Sequence, residues 1–418
     1  MTIRITTLPN GLRVATDRMD SVETASVGVW IGVGTRQEAP DVNGVAHLLE
    51  HMAFKGTERR SAREIAEEIE AVGGSMNAQT SREQTAYFVK VLKGDLRLAV
   101  DILADILLHS IYDPTELARE RAVILQELGQ AEDTPDDVIF DRFQEAAFPG
   151  QALGFPVLGK AEIIDKLPRE ALVDFRTRHY GASAMVVAAA GNLDHDELVS
   201  LTRRAFAALP EAGDTSYEAA RYVGGEHRDD QDLEQVHLAL GFPGVSFADP
   251  DYYASMVLAT LLGGGMSSRL FQEIREQRGL AYGVSAYAAP YLDGGVFGVY
   301  AGTGEKETPE LVEVLFEQLA AVRDPVPENE LQRARTQMRA GILMSLESTG
   351  ARMEALGSQL LIYGRPIPVE EMVRKINAVG AGDVAQVAHR IFSGRPTLAA
   401  MGPLGGLESY EKLVRRLV

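Results

Sequence analysis

Two histidines four residues apart, His47 and His51, flank a segment whose last residue is Glu50, in the stretch HLLEHMAFKGT at 47–57. Imidazole is the commonest metal ligand, and a carboxylate beside two such ligands is placed to take a proton from a water. The order here, H-x-x-E-H, reverses the familiar zinc helix H-E-x-x-H. At about 100° per residue, a helix puts His47 and His51 about 40° apart and Glu50 about 60° from His47 on its other side. All three polar groups therefore crowd one stripe, while Leu48, Leu49 and Met52 point largely elsewhere. Zinc held by two imidazoles needs a third protein ligand and an open position for water. A helix whose polar stripe simply faces solvent satisfies the same residues, so the remaining ligands decide.

Candidates for the third ligand lie on a later helical stretch, DPTELARERAVILQELGQAED at 113–133. It opens with Asp113 as N-cap, Pro114 at the first helical position and Glu116 closing a capping box. Glu120 and Glu127 are seven residues apart and share one face. One carboxylate can complete a His₂Glu set, while the other can hold a ligand imidazole through its free N–H. The chain has no cysteine, so any metal here must use histidine and carboxylates.

These residues need elements to hold them. Asn43 as N-cap and Gly56 just past the end bound the histidine helix. SAREIAEEIEAVGG (61–74) reads as a helix with Ser61 and Glu64 as a capping box. QTAYFVKVL (84–92) reads as a strand and GDLRLAVDILADILLHS (94–110) as an amphipathic helix. The PNG at 9–11 marks a hairpin. Later, 236–242, 282–290 and 294–303 read as strands, and 250–262, 308–322 and a stretch from 328 as helices.

The same plan is written twice. FRTRHYGASAMVVAAAGNL (175–193) is echoed by VAHRIFSGRPTLAAMGPL (387–404), and LARERAVI (117–124) by LQRARTQM (331–338) at an offset of 214 (331 − 117). That offset carries Glu127 onto Gly341, and H-x-x-E-H occurs once. The polar, Gly- and Asp-rich stretch at 209–232 separates the halves. The expected division is a metal-binding half at 1–212, a linker at 213–232, and a second half without metal ligands at 233–418. The fold class is α+β, two related halves, each a mostly antiparallel sheet with helices packed on it.

At 418 residues the chain exceeds one ordinary core. It contains no apolar run of about 18 residues, so no membrane span or membrane partner is expected. The first residues carry no leader signature, which predicts a cytoplasmic protein and leaves a processed organellar chain open. A net charge of −19 argues against nucleic acid as a partner and suits basic ligands.

With these motifs in place, the sequence resembles the pitrilysin and insulin-degrading-enzyme family of inverzincin metallopeptidases, in particular the subgroup of the mitochondrial processing peptidase β subunit. The resemblance spans essentially the whole chain. It implies a zinc endopeptidase, with one Zn²⁺ per chain held by His47, His51 and Glu127, Glu50 as general base and Glu120 as the helper carboxylate. GGSMNAQTSREQTAYF (73–88) resembles the family's edge-strand segment, which implies that Asn77 and Ala78 hold substrate as an added β-strand. RLFQEIREQRGLAYGVSAY (269–287) resembles the segment with the family's Arg–Tyr pair. That implies a backbone-binding Arg275 and a Tyr282 hydroxyl that steadies the carbonyl oxygen. Without the resemblance, Asn77 reads as turn chemistry and Tyr282 as a strand residue packing a sheet. The family also implies a clamshell around a closed chamber that takes unfolded peptides, basic ones included. A self-sufficient homodimer is expected, with a heterodimer open; the alternative is a noncatalytic structural partner subunit.

Overall fold

The computed structural model describes residues 3–417. The first sheet is built from β1 (Ile3–Thr7), β2 (Arg13–Arg18), β3 (Thr24–Ile31), β4 (Ser75–Thr80), β5 (Thr85–Leu92) and β6 (Met185–Gly191), in the order β1-β2-β6-β3-β5-β4. The second contains β7 (Gly225–Asp230), β8 (Val236–Pro243), β9 (Ala281–Pro290), β10 (Gly295–Thr303) and β11 (Thr397–Gly402), in the order β7-β11-β8-β10-β9. All neighbours are antiparallel except β2/β6 and β7/β11. Without β1, the two orders match strand for strand, so the duplication seen as weak sequence echoes is a duplication of topology. The α+β class with two mostly antiparallel sheets is as expected.

Local signals explain most elements. Gly11 turns the β1/β2 hairpin at φ +90°. β6 is buried at every position, as a continuous apolar strand covered on both faces must be. Helices α1 (Val45–Ala53), α2 (Ala62–Ala71), α3 (Leu96–Leu108), α4 (Pro114–Glu132) and α5 (Pro135–Ala147) follow the early strands. The α2 capping box forms, Ser61 Oγ accepting from the Glu64 amide and Glu64 Oε2 from the Ser61 amide. At α4, Asp113 accepts from the amides of Thr115 and Glu116, while the Glu116 carboxylate turns to Arg119 instead of closing a box.

The chain forms two compact units that do not follow the expected halves. One comprises Met1–Gly129, Phe155–Glu218 and Met344–Ile367; the other comprises Gln130–Gly154, Ala219–Leu343 and Pro368–Val418. The exchanged pieces begin at 130 and 344, the same 214-residue offset seen in the sequence echoes. Part of the expected linker is a strand, β7, whose residues GEHRDD lie on the outer edge of the second sheet with none of them buried. An edge strand exposes much of its length, which is why it reads as polar linker.

Each exchanged helix covers a sheet face that would otherwise be apolar and bare. In the first unit, α1 and α3 bury one face with Leu48, Met52, Val100 and Leu103. The other face, with Trp30, Ala86 and Ala188, packs on Met353, Leu356 and Leu360 of the helix Thr349–Tyr363. Trp30 lies so close to Gly357 that a Cβ there would stand 2.3 Å from its Cδ2. In the second unit, α5 takes this place with Val138, Ile139 and Phe143. Phe143, at the offset of Gly357, lies over Gly241, where a Cβ would stand 2.5 Å from its ring. The strand registers pair Trp30 with Val186 and Ala86, and Gly241 with Thr397 and Gly298. The aromatic thus sits on the sheet in one unit and on the helix in the other.

Candidate metal centre

Helix α1 buries Leu48, Leu49 and Met52 to within 2 % of full burial and turns His47, Glu50 and His51 the other way. Its start differs from the sequence reading. The N-cap is Gly44 at φ +94°, not Asn43, and a Cβ at 44 would meet Ile164 at 2.5 Å. The orphan amides of the first turn are met by Glu38. Its Oε2 accepts from Gly44 N (2.8 Å) and Asn43 Nδ2 (2.9 Å), and its Oε1 from Ala46 N (2.8 Å). Asn43 therefore positions the capping group instead of being it. Burial pushes the Glu38 carboxyl up to about 7, against the lowering effect of these bonds. At the other end, Gly56 at φ +113° follows the C-cap Phe54.

The two imidazoles stand edge to face, centroids 4.6 Å apart. Glu127 Oε2 lies 3.7 Å from His51 Nε2 and 4.0 Å from His47 Nε2, and the three potential ligand atoms fall within 4.8 Å of one another. Ligands of a tetrahedral zinc at the usual bond lengths are about 3.3–3.5 Å apart, so this donor set fits the ion with small side-chain shifts. Burial, and then the neighbouring His51, push His47 down to about 4, keeping its ring in the neutral, ligating form. His51 is oriented from behind. Its Nδ1 donates to Glu120 Oε2 at 3.0 Å, and the other oxygen of buried Glu120 accepts from Lys55 Nζ at 2.8 Å. An ionised carboxylate can only accept, so this bond assigns the Nδ1–H tautomer, with Nε2 turned toward Glu127.

Glu50 turns to the edge strand. Its Oε2 accepts from the Thr80 hydroxyl on β4 at 2.5 Å. Burial raises the Glu50 pKa, and the Thr80 bond and His51 oppose that rise. β4 pairs with β5 on one side and with no other strand among the described residues. Met76 and Ala78 pack toward the core beneath α1, on the same face as Thr80, while Asn77 and Gln79 alternate onto the opposite face. Asn77 Oδ1 accepts from the Ala78 amide at 2.9 Å, so the amide expected to meet substrate is held by its neighbour's side chain.

The structure thus gathers His47, Glu50, His51, Glu120 and Glu127 in the first unit, with Asn77 and Ala78 on the strand that contacts Glu50. Arg275 and Tyr282 come together in the second unit. Arg275 lies on a π-helical segment, Phe271–Gln277; its Nη1 donates to the Tyr282 carbonyl at 2.9 Å and its guanidinium stands 4.2 Å from the Tyr282 ring centroid. The Tyr282 side chain is 77 % exposed, so it packs no sheet. Sequence reasoning passed over Thr80, Lys55 and Glu38. Lys55 is four residues past His51, a spacing that faces the same way and was legible. Thr80 follows Ala78 by two in a strand, and its side chain shares that face. Glu38 carried no local signal.

The profile described as Insulinase (Peptidase family M16) matches residues 13–161, and that of the Peptidase M16 inactive domain matches 166–338. An uncharacterised zinc protease of Rickettsia bellii is 40% identical over 400 residues, covering 96% of this chain and 97% of that protein. A probable mitochondrial-processing peptidase subunit beta of Arabidopsis thaliana is also 40% identical, over 99% of this chain and 81% of that protein. Among solved structures, a protease from Helicobacter pylori superposes with a TM-score of 0.89 at 23% identity, over 96% of this chain and 99% of that one. A chain of complex III₂ from Candida albicans superposes at 0.88 with 22% identity over the full length of both. With the His-His-Glu cluster, the duplicated sheets and these relatives in agreement, the chain belongs to the insulinase family, peptidase family M16.

Proposed function

We propose that this protein is a zinc-dependent endopeptidase that hydrolyses unfolded peptides, with one Zn²⁺ per chain. The observation that carries the reading is the convergence of one ligand atom each from His47, His51 and Glu127 within 4.8 Å, beside a half-buried Glu50. Zinc bound there would acidify a water and polarise the scissile carbonyl. Glu50, whose pKa burial raises, takes the proton of the attacking water and returns it to the leaving amine. Glu120 and Lys55 keep His51 oriented. The open edge of β4 receives the substrate main chain as an added strand, with Asn77 and Ala78 in contact with it.

Roles for Arg275 and Tyr282 rest on the family resemblance: the guanidinium binds substrate backbone and the hydroxyl steadies the carbonyl oxygen. The acidic net charge favours basic peptides. The reading also includes a homodimer in the cytoplasm; among the described residues no helix is long and apolar enough to cross a membrane. The decisive experiment is Glu50→Gln. It should retain stoichiometric zinc and lose at least about a hundredfold in kcat on a peptide library. Near-normal, chelator-sensitive turnover in the zinc-loaded variant overturns the assignment of Glu50. A purified protein that binds no zinc supports the noncatalytic subunit instead.

A further inference from the structure

The face of β4 that turns away from the metal residues borders a cavity of ≈ 360 Å³. Its walls include Trp30, Phe88 and Met353, with Asn77, Gln79 and Glu354 among the polar groups around it. The fold does not require this space, because the duplicate fills it. At the 214-residue offset, Glu354 corresponds to Phe140. With Trp30 matched to Gly241, the strand registers match Phe88 to Tyr300, Gln79 to Tyr287 and Ser26 to His237. In the second unit Phe140 stands 5.7 Å from the Tyr287 ring and 5.5 Å from that of Tyr300, and Tyr300 Oη bonds His237 Nδ1 at 2.9 Å. Three aromatic rings and an imidazole thus close the site that Glu354, Gln79, Phe88 and Ser26 leave open.

The pocket opens to solvent past exposed Asn77, Gln79 and Glu354, and its apolar walls at Trp30, Phe88 and Met353 are surface that a bound apolar side chain would remove from water. An open pocket kept in the metal-binding unit and plugged in its duplicate is a site for an occupant. The side chains of any strand added to β4 alternate between the two faces, as β4's own do. We propose that this cavity is a specificity subsite for an aromatic or large apolar side chain of the bound peptide, taken from the face of the added strand opposite the metal. The proposal rests on the peptidase reading for its ligand, and on the difference between the two units for its location.

Trp30 is the sole tryptophan and lines the cavity, which makes binding visible without turnover. Zinc-loaded Glu50→Gln protein is titrated with peptides carrying nitrotyrosine, a fluorescence quencher, at successive positions. Quenching of Trp30 should alternate with position, strongest at every second residue. In the active protein, the pair Glu354→Phe and Gln79→Tyr copies the second unit's filling. It should lower the ratio of kcat/KM for a phenylalanine peptide over its alanine counterpart by about tenfold. Binding with position-independent quenching, or a ratio unchanged in the filled variant, overturns the subsite and leaves the peptidase reading standing. Alternating quenching in a chain that never hydrolyses peptide overturns the reaction and keeps the subsite.

Discussion

Thr80 on β4 donates its hydroxyl proton to Glu50 on α1 across 2.5 Å, so the strand expected to hold substrate also holds the proposed base. The contact ties the Glu50 carboxylate to a strand whose other edge is unpaired among the described residues. Thr80→Val removes the donor while keeping the side-chain shape. It should lower kcat about tenfold with zinc content unchanged, and Thr80→Ser should restore most of the loss. A valine variant with wild-type kcat would show that Thr80 only packs.

Glu120 acts on the metal through His51. With Glu120→Gln the Nδ1–H loses its charged acceptor, and Lys55 loses its partner. Zinc affinity should fall by about ten- to a hundredfold. Competition with a graded series of chelators measures this directly, and unchanged affinity would reduce Glu120 to a structural residue.

The buried cap of α1 makes stability depend on pH. The folded-state pKa of Glu38 is pushed up to about 7 from its ordinary 4.5, mainly by burial. A raised pKa means the folded state binds the proton more tightly than the unfolded chain does. The stabilisation is full below the unfolded pKa and is lost as pH rises through about 7. Glu38→Gln should remove this dependence. Unfolding free energies from urea titrations should fall for the wild type relative to the variant between pH 5 and pH 8, by up to about 3 kcal/mol. Parallel curves for the two proteins would contradict the assignment.

Gly357 carries no side chain because Trp30 occupies its space. Gly357→Ala gains helix propensity of about 1 kcal/mol, yet its Cβ would fall 2.3 Å from the indole. Steric displacement should prevail, with a net destabilisation of about 1–3 kcal/mol and an altered Trp30 emission. Denaturant unfolding followed by tryptophan fluorescence tests both. A more stable variant would mean that the helix Thr349–Tyr363 is held less closely than its contacts indicate.

The polar stripe of α1, the Glu120/Glu127 face of α4, the Ser61/Glu64 capping box and most strands were legible in the residues alone. Each depends on periodicity within one element, and periodicity is local. Even the duplication left a readable trace, since the offset between 117–124 and 331–338 also sets the exchanged segments.

What tertiary structure decided are the contacts between elements. Glu38 became the cap of α1, and Asn43 its support, because only the folded path of the 38–44 segment brings that carboxylate back onto the orphan amides. β7 escaped notice because an edge strand solvates its outer side. The exchange of 130–154 with 344–367 was invisible because a helix's apolar face does not name the sheet that will cover it. His47, Glu50 and His51 share a helical stripe by sequence; their division of labour does not. Glu127 meets both imidazoles, Glu120 takes one ring from behind, and Thr80 claims Glu50, because packing sets which partner each side chain can reach.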